Sequence, residues 1–162
     1  MKVILLVLIS LSIVLSATKF PMIKGKTLTN ETITIPNAKS NQLLILGFDQ
    51  TSAEGMEQWV RALNLAGTDT LDWLQIPVIG GVPPFVDGMI KGGMKKTIPN
   101  IIWHRFMPYF GNKYEIIEAI NNKNKDLTDP MTPFIIIIDQ NQQVTFNMQL
   151  SATTKNIQLV NQ

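Results

Sequence analysis

The stretch LLILGFDQTSAEGMEQWVRAL, residues 43–63, decides the fold. Its first part, Leu43–Phe48, is an unbroken apolar run of strand length, which is typical of a strand buried on both faces. The polar residues Asp49–Ser52 follow, and Thr51 or Ser52 can cap the N-terminus of a helix. Apolar side chains then recur at helical spacing, at Met56, Trp59, Val60 and Leu63. The stretch therefore predicts a buried strand, a polar turn and an amphipathic helix that ends near Gly67.

The flanking segments predict two more strands. Gln75–Ile79 is apolar and short, with Pro77 as its weak point, and it completes a β-α-β unit with parallel strands. On the N-terminal side, Gly25-Lys26 is typical of a turn, and the alternating residues Thr32–Ile35 predict a short strand or hairpin.

The C-terminal part predicts a hairpin between two helices. Phe134–Asp139 is predicted to be a buried strand, Gln140–Gln142 a tight turn, and Gln143–Phe146 the partner strand. A shorter helical pattern runs from Tyr114 to Lys123, and Thr153–Val160 predicts a C-terminal helix.

Residues 80–112 hold many prolines and glycines and are predicted to be largely irregular. Pro84 can open a helix, and an apolar face would then be formed by Phe85, Met89, Ile90 and Met94. These side chains either cover the sheet or form a binding surface, since methionine and aromatic residues suit both. A basic cluster beside them is formed by Lys91, Lys95 and Lys96, and we expect at most peripheral membrane contact there.

Composition excludes several classes of protein. The 162 residues carry 14 Lys and Arg against 12 Asp and Glu, a net charge of +2, which gives no footprint for nucleic acid. There is no cysteine and one histidine, so disulfides, thiol chemistry and Cys-based zinc sites are excluded. We expect no cofactor and no metal.

The N-terminal segment 1–17, MKVILLVLISLSIVLSA, is typical of a secretory signal peptide. Lys2 precedes an apolar stretch that is too short for an ordinary membrane span, and small residues follow at Ser16 and Ala17. An uncleaved signal anchor is the alternative. We therefore expect an exported protein, periplasmic or secreted, with one domain at residues 18–162.

The order of these elements resembles the thioredoxin-like fold, in the elaborated form of exported peroxiredoxin-like and TlpA-like proteins. In that family a catalytic cysteine follows an apolar strand that ends in an aromatic residue. LLILGF, residues 43–48, matches the strand, and DQTSAEG, residues 49–55, occupies the site loop. The resemblance implies an α/β fold of three layers, with a mixed central sheet flanked by helices and an irregular insertion at about 80–112.

The family also places a proline, usually in cis, before the strand that faces this loop. Thr132-Pro133-Phe134, followed by IIIIDQNQQV, matches that element. The stretch Thr51–Glu54 is also similar to the cysteine-free periplasmic YtfJ family. The resemblance thus implies a binding surface where the active site of the relatives lies, formed by Asp49, Gln50, Thr51, Ser52, Thr132, Pro133 and Phe134.

Two functions of different classes remain open. The first is a redox-inactive, protein-binding or scaffold protein, because the scaffold is present and the thiol positions hold hydroxyls, which form no mixed disulfide. The alternative is a cysteine-independent, hydrolase-like enzyme that uses Ser52, His104 or Asp49. A surface histidine is the simpler interpretation of His104. Asp49, Asp129 and Asp139 could also be interpreted as a carboxylate metal site, but Asp139 more simply starts the hairpin turn and Asp129 precedes a proline. We therefore predict no catalytic residue and an unidentified protein partner.

Overall fold

The computed structural model describes residues 18–120 and 129–160. The strands are β1 (Ile23–Lys26), β2 (Thr32–Ile35), β3 (Gln42–Gly47), β4 (Asp72–Pro77), β5 (Phe134–Ile138) and β6 (Val144–Gln149). The helices are α1 (Ala53–Ala62), α2 (Pro84–Thr97), α3 (Lys113–Ile120) and α4 (Thr154–Val160), with short 3-10 helices at Gln50–Ser52, Leu65–Gly67 and Asn100–Arg105. The predicted signal segment 1–17 and residues 121–123 of the predicted helix Tyr114–Lys123 lie outside the described residues.

A four-stranded mixed sheet forms the centre of the fold, in the order β4-β3-β5-β6. β3 pairs in parallel with β4 and antiparallel with β5, and β5 forms a hairpin with β6. Every residue of β3 is buried, because strands lie on both of its edges and other elements cover both of its faces. The predicted mixed sheet, with a parallel β3-α1-β4 unit and an antiparallel hairpin, is confirmed.

Side chains alternate between the two faces of the sheet and form a separate apolar cluster on each. On one face, Leu44 and Leu46 pack with Ile116 and Ile120 of α3 and with the β1-β2 hairpin. On the other face, the cluster combines strand residues with α1 and α4 and includes Leu43, Ile45, Ile135, Met56, Trp59, Ile157 and Val160. These clusters produce the three predicted layers.

The N-terminal hairpin turns at a different place from the predicted one. Gly25 and Lys26 belong to β1 and pair with β2. The turn lies at residues 27–31, where the Thr27 N–H donates to the Glu31 carbonyl at 2.9 Å. Gly25 instead serves a close approach, since a Cβ there would lie 2.8 Å from the sulfur of Met107. The prediction of a Gly-Lys turn is therefore wrong: Gly25 occupies a strand position that has no room for a side chain beside Met107.

Two element boundaries also differ from the predictions. The strand predicted at Gln75–Ile79 begins earlier, at Asp72, because its pairing with β3 starts there, and it ends at Pro77. α1 ends at Ala62 rather than near Gly67, since Asn64 adopts a left-handed φ of 50° that stops the helix.

The segment 80–112 is more regular than predicted. α2 begins at Pro84, as predicted, and a 3-10 helix follows it. No residue of α2 is buried, and the Phe85 and Met89 side chains are each 75% exposed. The later part of the segment joins the core instead, through Ile102, Phe106, Met107 and Tyr109. Across the described residues, no helix is long and apolar enough to cross a membrane.

Candidate functional site

The residues between β3 and α1 form a polar loop, Asp49–Ser52, that is held by one carboxylate. Oδ1 of Asp49 accepts hydrogen bonds from the Thr51 backbone N–H at 2.8 Å and from the Thr51 hydroxyl at 2.7 Å. The hydroxyl first, and then the backbone N–H, lower the pKa of the Asp49 carboxyl below its ordinary value. The polar loop therefore presents an ionised carboxylate to solvent at neutral pH.

Ser52 is part of the interior rather than of the exposed surface. It is 1% exposed, and its hydroxyl donates to the Asp49 carbonyl at 2.6 Å. Its Oγ also lies 3.9 Å from the sulfur of Met56, and a Cβ on Gly47 would overlap both atoms. The predicted side-chain cap at the N-terminus of α1 is absent, because this hydroxyl is turned back toward Asp49.

Pro133 lies against the start of α1, as the resemblance implies. A Cβ on Gly55 would be 2.9 Å from Cδ of Pro133, so glycine permits this contact. The implied cis bond before Pro133 is wrong: in residues 18–120 and 129–160 the only cis peptide bond joins Ile35 and Pro36. The preceding turn brings the proline ring to Gly55 with its peptide bond in trans.

That turn, residues 129–132, is closed by the Asp129 carboxylate. The carboxylate accepts hydrogen bonds from the Thr132 hydroxyl and from the Met131 N–H, and these lower its pKa. The Gln149 side-chain amide donates to the Thr132 carbonyl at 3.0 Å, and the Leu150 N–H donates to the Pro133 carbonyl at 3.3 Å. Both carbonyls beside the polar loop thus already have partners within the chain.

Phe134 is a buried member of the predicted binding surface. It opens β5 opposite Leu46 of β3 and is 5% exposed. Its ring meets the Phe48 ring edge to face, with centroids 5.8 Å apart and planes at 86°. This aromatic pair fixes the ends of the two strands from which the polar loop and Pro133 project.

The fold brings the two halves of the predicted surface to one edge of the sheet, because β3 ends where the antiparallel β5 begins. Asp49, Gln50 and Thr51 are exposed and Thr132 is half-buried. The other predicted residues, Ser52, Pro133 and Phe134, are buried beneath them. The solvent-facing part of the site is therefore a small, preformed patch of hydrogen-bonding groups.

The structure shows no nucleophile-base pair of Ser52 and His104. A nucleophile needs a reachable hydroxyl with a base beside it, whereas the Ser52 hydroxyl is buried and occupied. His104 lies exposed on the 3-10 helix Asn100–Arg105. In the described part of the chain, His104 makes no side-chain hydrogen bond or ion pair that could orient it.

Asp49, Asp129 and Asp139 do not form a common site, because each accepts hydrogen bonds within its own turn. Asp49 and Asp129 were described above, and Oδ1 of Asp139 accepts from the N–H groups of Asn141 and Gln143 at 2.8 Å each. Among residues 18–120 and 129–160, no group of three or more His, Cys, Asp or Glu side chains could hold a metal ion.

A second surface was not predicted as a unit. Lys24 and Lys26 of β1 and Lys91 of α2 line a groove of about 530 Å³, which we call the lysine groove. The sequence does contain its signal. In IKGK, residues 23–26, the two lysines are spaced by two, which places them on the same side of a strand.

Comparison with known proteins bears on the fold. No protein-family model and no curated protein matches the sequence. Among solved structures, the pneumococcal exposed lipoprotein thioredoxin from Streptococcus pneumoniae strain TIGR4 is similar, with a TM-score of 0.56, 10% identity, and coverage of 87% of this chain and 97% of that one. StoA from Bacillus subtilis has a TM-score of 0.55, 11% identity, and coverage of 88% and 98%.

A thiol:disulfide interchange protein of the thioredoxin family, from Chlorobium tepidum TLS, has a TM-score of 0.53 and 15% identity, with coverage of 90% of this chain and 94% of that chain. The similarity spans nearly all of each of these proteins, and their shared architecture is the mixed sheet between helices described above. Unlike a thiol:disulfide interchange protein, this sequence has no cysteine. The chain therefore has a thioredoxin-like fold without active-site cysteines.

Proposed function

We propose that the chain is an exported, redox-inactive thioredoxin-like domain that binds a protein partner through the polar loop. One observation carries the proposal: three exposed hydrogen-bonding residues, Asp49, Gln50 and Thr51, stand where the resemblance places the reactive thiols. They are held there by hydrogen bonds within the loop.

The rigidity of the loop supports binding. A surface that is ordered before the encounter loses less conformational entropy on association. Asp49 holds the loop through its two hydrogen bonds to Thr51. On the interior side, Pro133 packs against Gly55 and the Phe48 and Phe134 rings contact each other. The occupied carbonyls of Thr132 and Pro133 limit extended-peptide pairing at the proline, so recognition by the side chains of the polar loop is the mode that the geometry favours.

Redox inactivity rests on chemistry. Thiol-disulfide exchange requires a thiolate that attacks a disulfide sulfur. The 162 residues contain no cysteine, and a serine or threonine hydroxyl cannot form a mixed disulfide.

Export rests on the N-terminal segment 1–17, whose charge and apolar pattern are those of a signal peptide. One structural neighbour is by its own name an exposed lipoprotein. Fractionation of cells that express the full chain with a C-terminal tag tests this part, with an Ile4→Asp, Val7→Asp double variant as control. We expect the wild type in the exported fraction and the control retained; equal distribution of both would contradict export.

The binding site is tested by photo-crosslinking in the exported fraction. Gln50 is replaced by p-benzoylphenylalanine in one chain, and Gln140, an exposed glutamine at the opposite end of β5, is replaced in the other. We expect a discrete crosslinked protein from position 50 that is absent from position 140. The same products from both positions, or none from position 50, would overturn the assignment of the polar loop as the binding surface.

A further inference from the structure

The lysine groove is lined by positive charges from two different elements. Lys24 and Lys26 belong to β1, Lys91 belongs to α2, and Asp87 is the one acidic residue among those that line the groove. The rings of Tyr109 and Phe110 contribute an apolar part of the lining. A concave site with an apolar base and convergent charged groups is typical of a binding site.

The ammonium of Lys91 is held in place although no carboxylate forms an ion pair with it in the described residues. It lies 5.7 Å from the centroid of the Phe110 ring, a cation-π contact. Burial first, and then the positive charges of Lys26 and Lys95, lower its pKa, while Asp87 opposes them. Charge in the groove is therefore unbalanced, and an anionic ligand would relieve the repulsion.

Three consecutive residues of β1, Lys24, Gly25 and Lys26, line the groove, which favours an extended chain as the ligand. β1 pairs only with β2 among the described strands. Just past β1, the Leu28 N–H donates to the carbonyls of Trp103 and Phe106, whereas in the described residues no backbone hydrogen bond joins Lys24 or Lys26 to a segment outside the hairpin. The Thr27 N–H donates to the Glu31 carbonyl, so Thr27 and Glu31 form a hydrogen-bonded pair of the hairpin. In an antiparallel pair, hydrogen-bonded and non-hydrogen-bonded positions alternate, so the backbone N–H and C=O groups of Lys24 and Lys26 are directed away from β2. An added strand could therefore bond to this edge, and its carboxylates would lie near the lysines.

We propose that the lysine groove binds an extended acidic segment of a protein partner, which pairs with the free edge of β1 and places carboxylates against Lys24, Lys26 and Lys91. This surface is separate from the polar loop, so each can be tested alone. A concave groove with lysines from two different elements suits an extended chain better than the flat surface of a bilayer.

Fluorescence anisotropy with a labelled octapeptide of alternating Glu and Val tests the proposal, with an alternating Lys and Val peptide as control. We expect saturable binding of the acidic peptide alone, weakened about tenfold by Lys26→Glu or by Lys91→Glu. Lys155→Glu is the matched control, because Lys155 is exposed on α4, which packs on the other face of the sheet; it should change the affinity by less than about twofold. Thermal unfolding checks that each variant is folded.

Two further arms separate the proposed mode from simple charge attraction. Two acidic peptides are N-methylated, one at its odd and one at its even positions, which removes alternate backbone N–H donors and leaves the charge unchanged. Because a paired strand directs only every second N–H group toward its partner, we expect one of the two peptides to bind about tenfold more weakly than the other. Equal binding of both would overturn strand pairing. No saturable binding, an equal loss in Lys155→Glu, or tighter lysine-dependent binding to phosphatidylglycerol vesicles than to the peptide would overturn the acidic-segment assignment.

Discussion

Asp49 fixes the conformation of the polar loop with a single carboxylate oxygen, which accepts two hydrogen bonds from Thr51. The ionised carboxylate accepts both bonds more strongly than the protonated carboxyl does. The loop geometry and the protonation of one side chain are thereby linked.

This linkage predicts acid sensitivity. Because the folded-state pKa of Asp49 is lowered, its contribution to stability is fully present above the unfolded value of about 3.9 and is lost as pH falls through the folded value. Asp49→Asn should therefore reduce the loss of stability between about pH 4 and pH 2 in urea unfolding. Asp69→Asn, at an exposed aspartate outside both turns, should unfold with the wild-type pH dependence; an unchanged slope in Asp49→Asn would contradict the link.

Gly47 shows a steric requirement of the same site. A Cβ at this position would overlap Oγ of Ser52 and the sulfur of Met56, both buried. We expect Gly47→Ala to destabilise the fold by about 1–3 kcal/mol, the usual cost of overpacking a core. Gly81→Ala is the control, since a Cβ there meets nothing within 4 Å. Equal unfolding free energies for the two variants would contradict the close packing of Ser52 and Met56 against Gly47.

At the scale of elements, α2 is the most unusual helix. Gly88, Gly92 and Gly93 lie in its interior, and a Cβ on any of them would meet no atom within 4 Å. Glycine in an exposed helix costs about 1 kcal/mol relative to alanine.

Gly92→Ala should therefore raise the free energy of unfolding by about 0.5–1 kcal/mol. Chemical denaturation of the two proteins measures the difference. A destabilised Gly92→Ala would mean that this face of α2 is closer to another part of the chain than the structure shows.

The local sequence pattern predicted β3 and β5 as unbroken apolar runs and α1 from the helical spacing of its apolar residues, because the buried side chains of these elements are contiguous or periodic in the sequence. It missed the start of β4, because Asp72 is held there by partners distant in sequence. Its carboxylate accepts hydrogen bonds from Ser40 at 2.8 Å, Gln42 at 3.0 Å and Arg105 at 3.2 Å. A local pattern contains no information on such contacts.

The sequence predicted where the candidate site lies in the fold, but not which of its residues are exposed to solvent. Strand order and the Pro133 motif located both of its halves. Ser52 is buried against Gly47 and Met56, which are contacts that the motif itself does not contain.

For the whole molecule, we expect stability to be independent of the thiol redox state. With no cysteine in the chain, we expect equal melting temperatures in reduced and oxidised glutathione, and no reduction of insulin disulfides. Glutathione is the appropriate oxidant because peroxide would also oxidise exposed methionines such as Met22 and Met89. A shift in melting temperature between the two buffers would contradict this expectation.

If the polar loop is the protein-binding surface that we propose, a substitution in it must weaken the affinity for the partner captured at position 50. Calorimetry on the wild type, Gln50→Arg and Gln140→Arg compares two exposed glutamines at opposite ends of β5. We expect Gln50→Arg to weaken binding about tenfold or more, a loss of about 1.4 kcal/mol, and Gln140→Arg to leave the affinity unchanged. Equal affinities for all three proteins would contradict the claim.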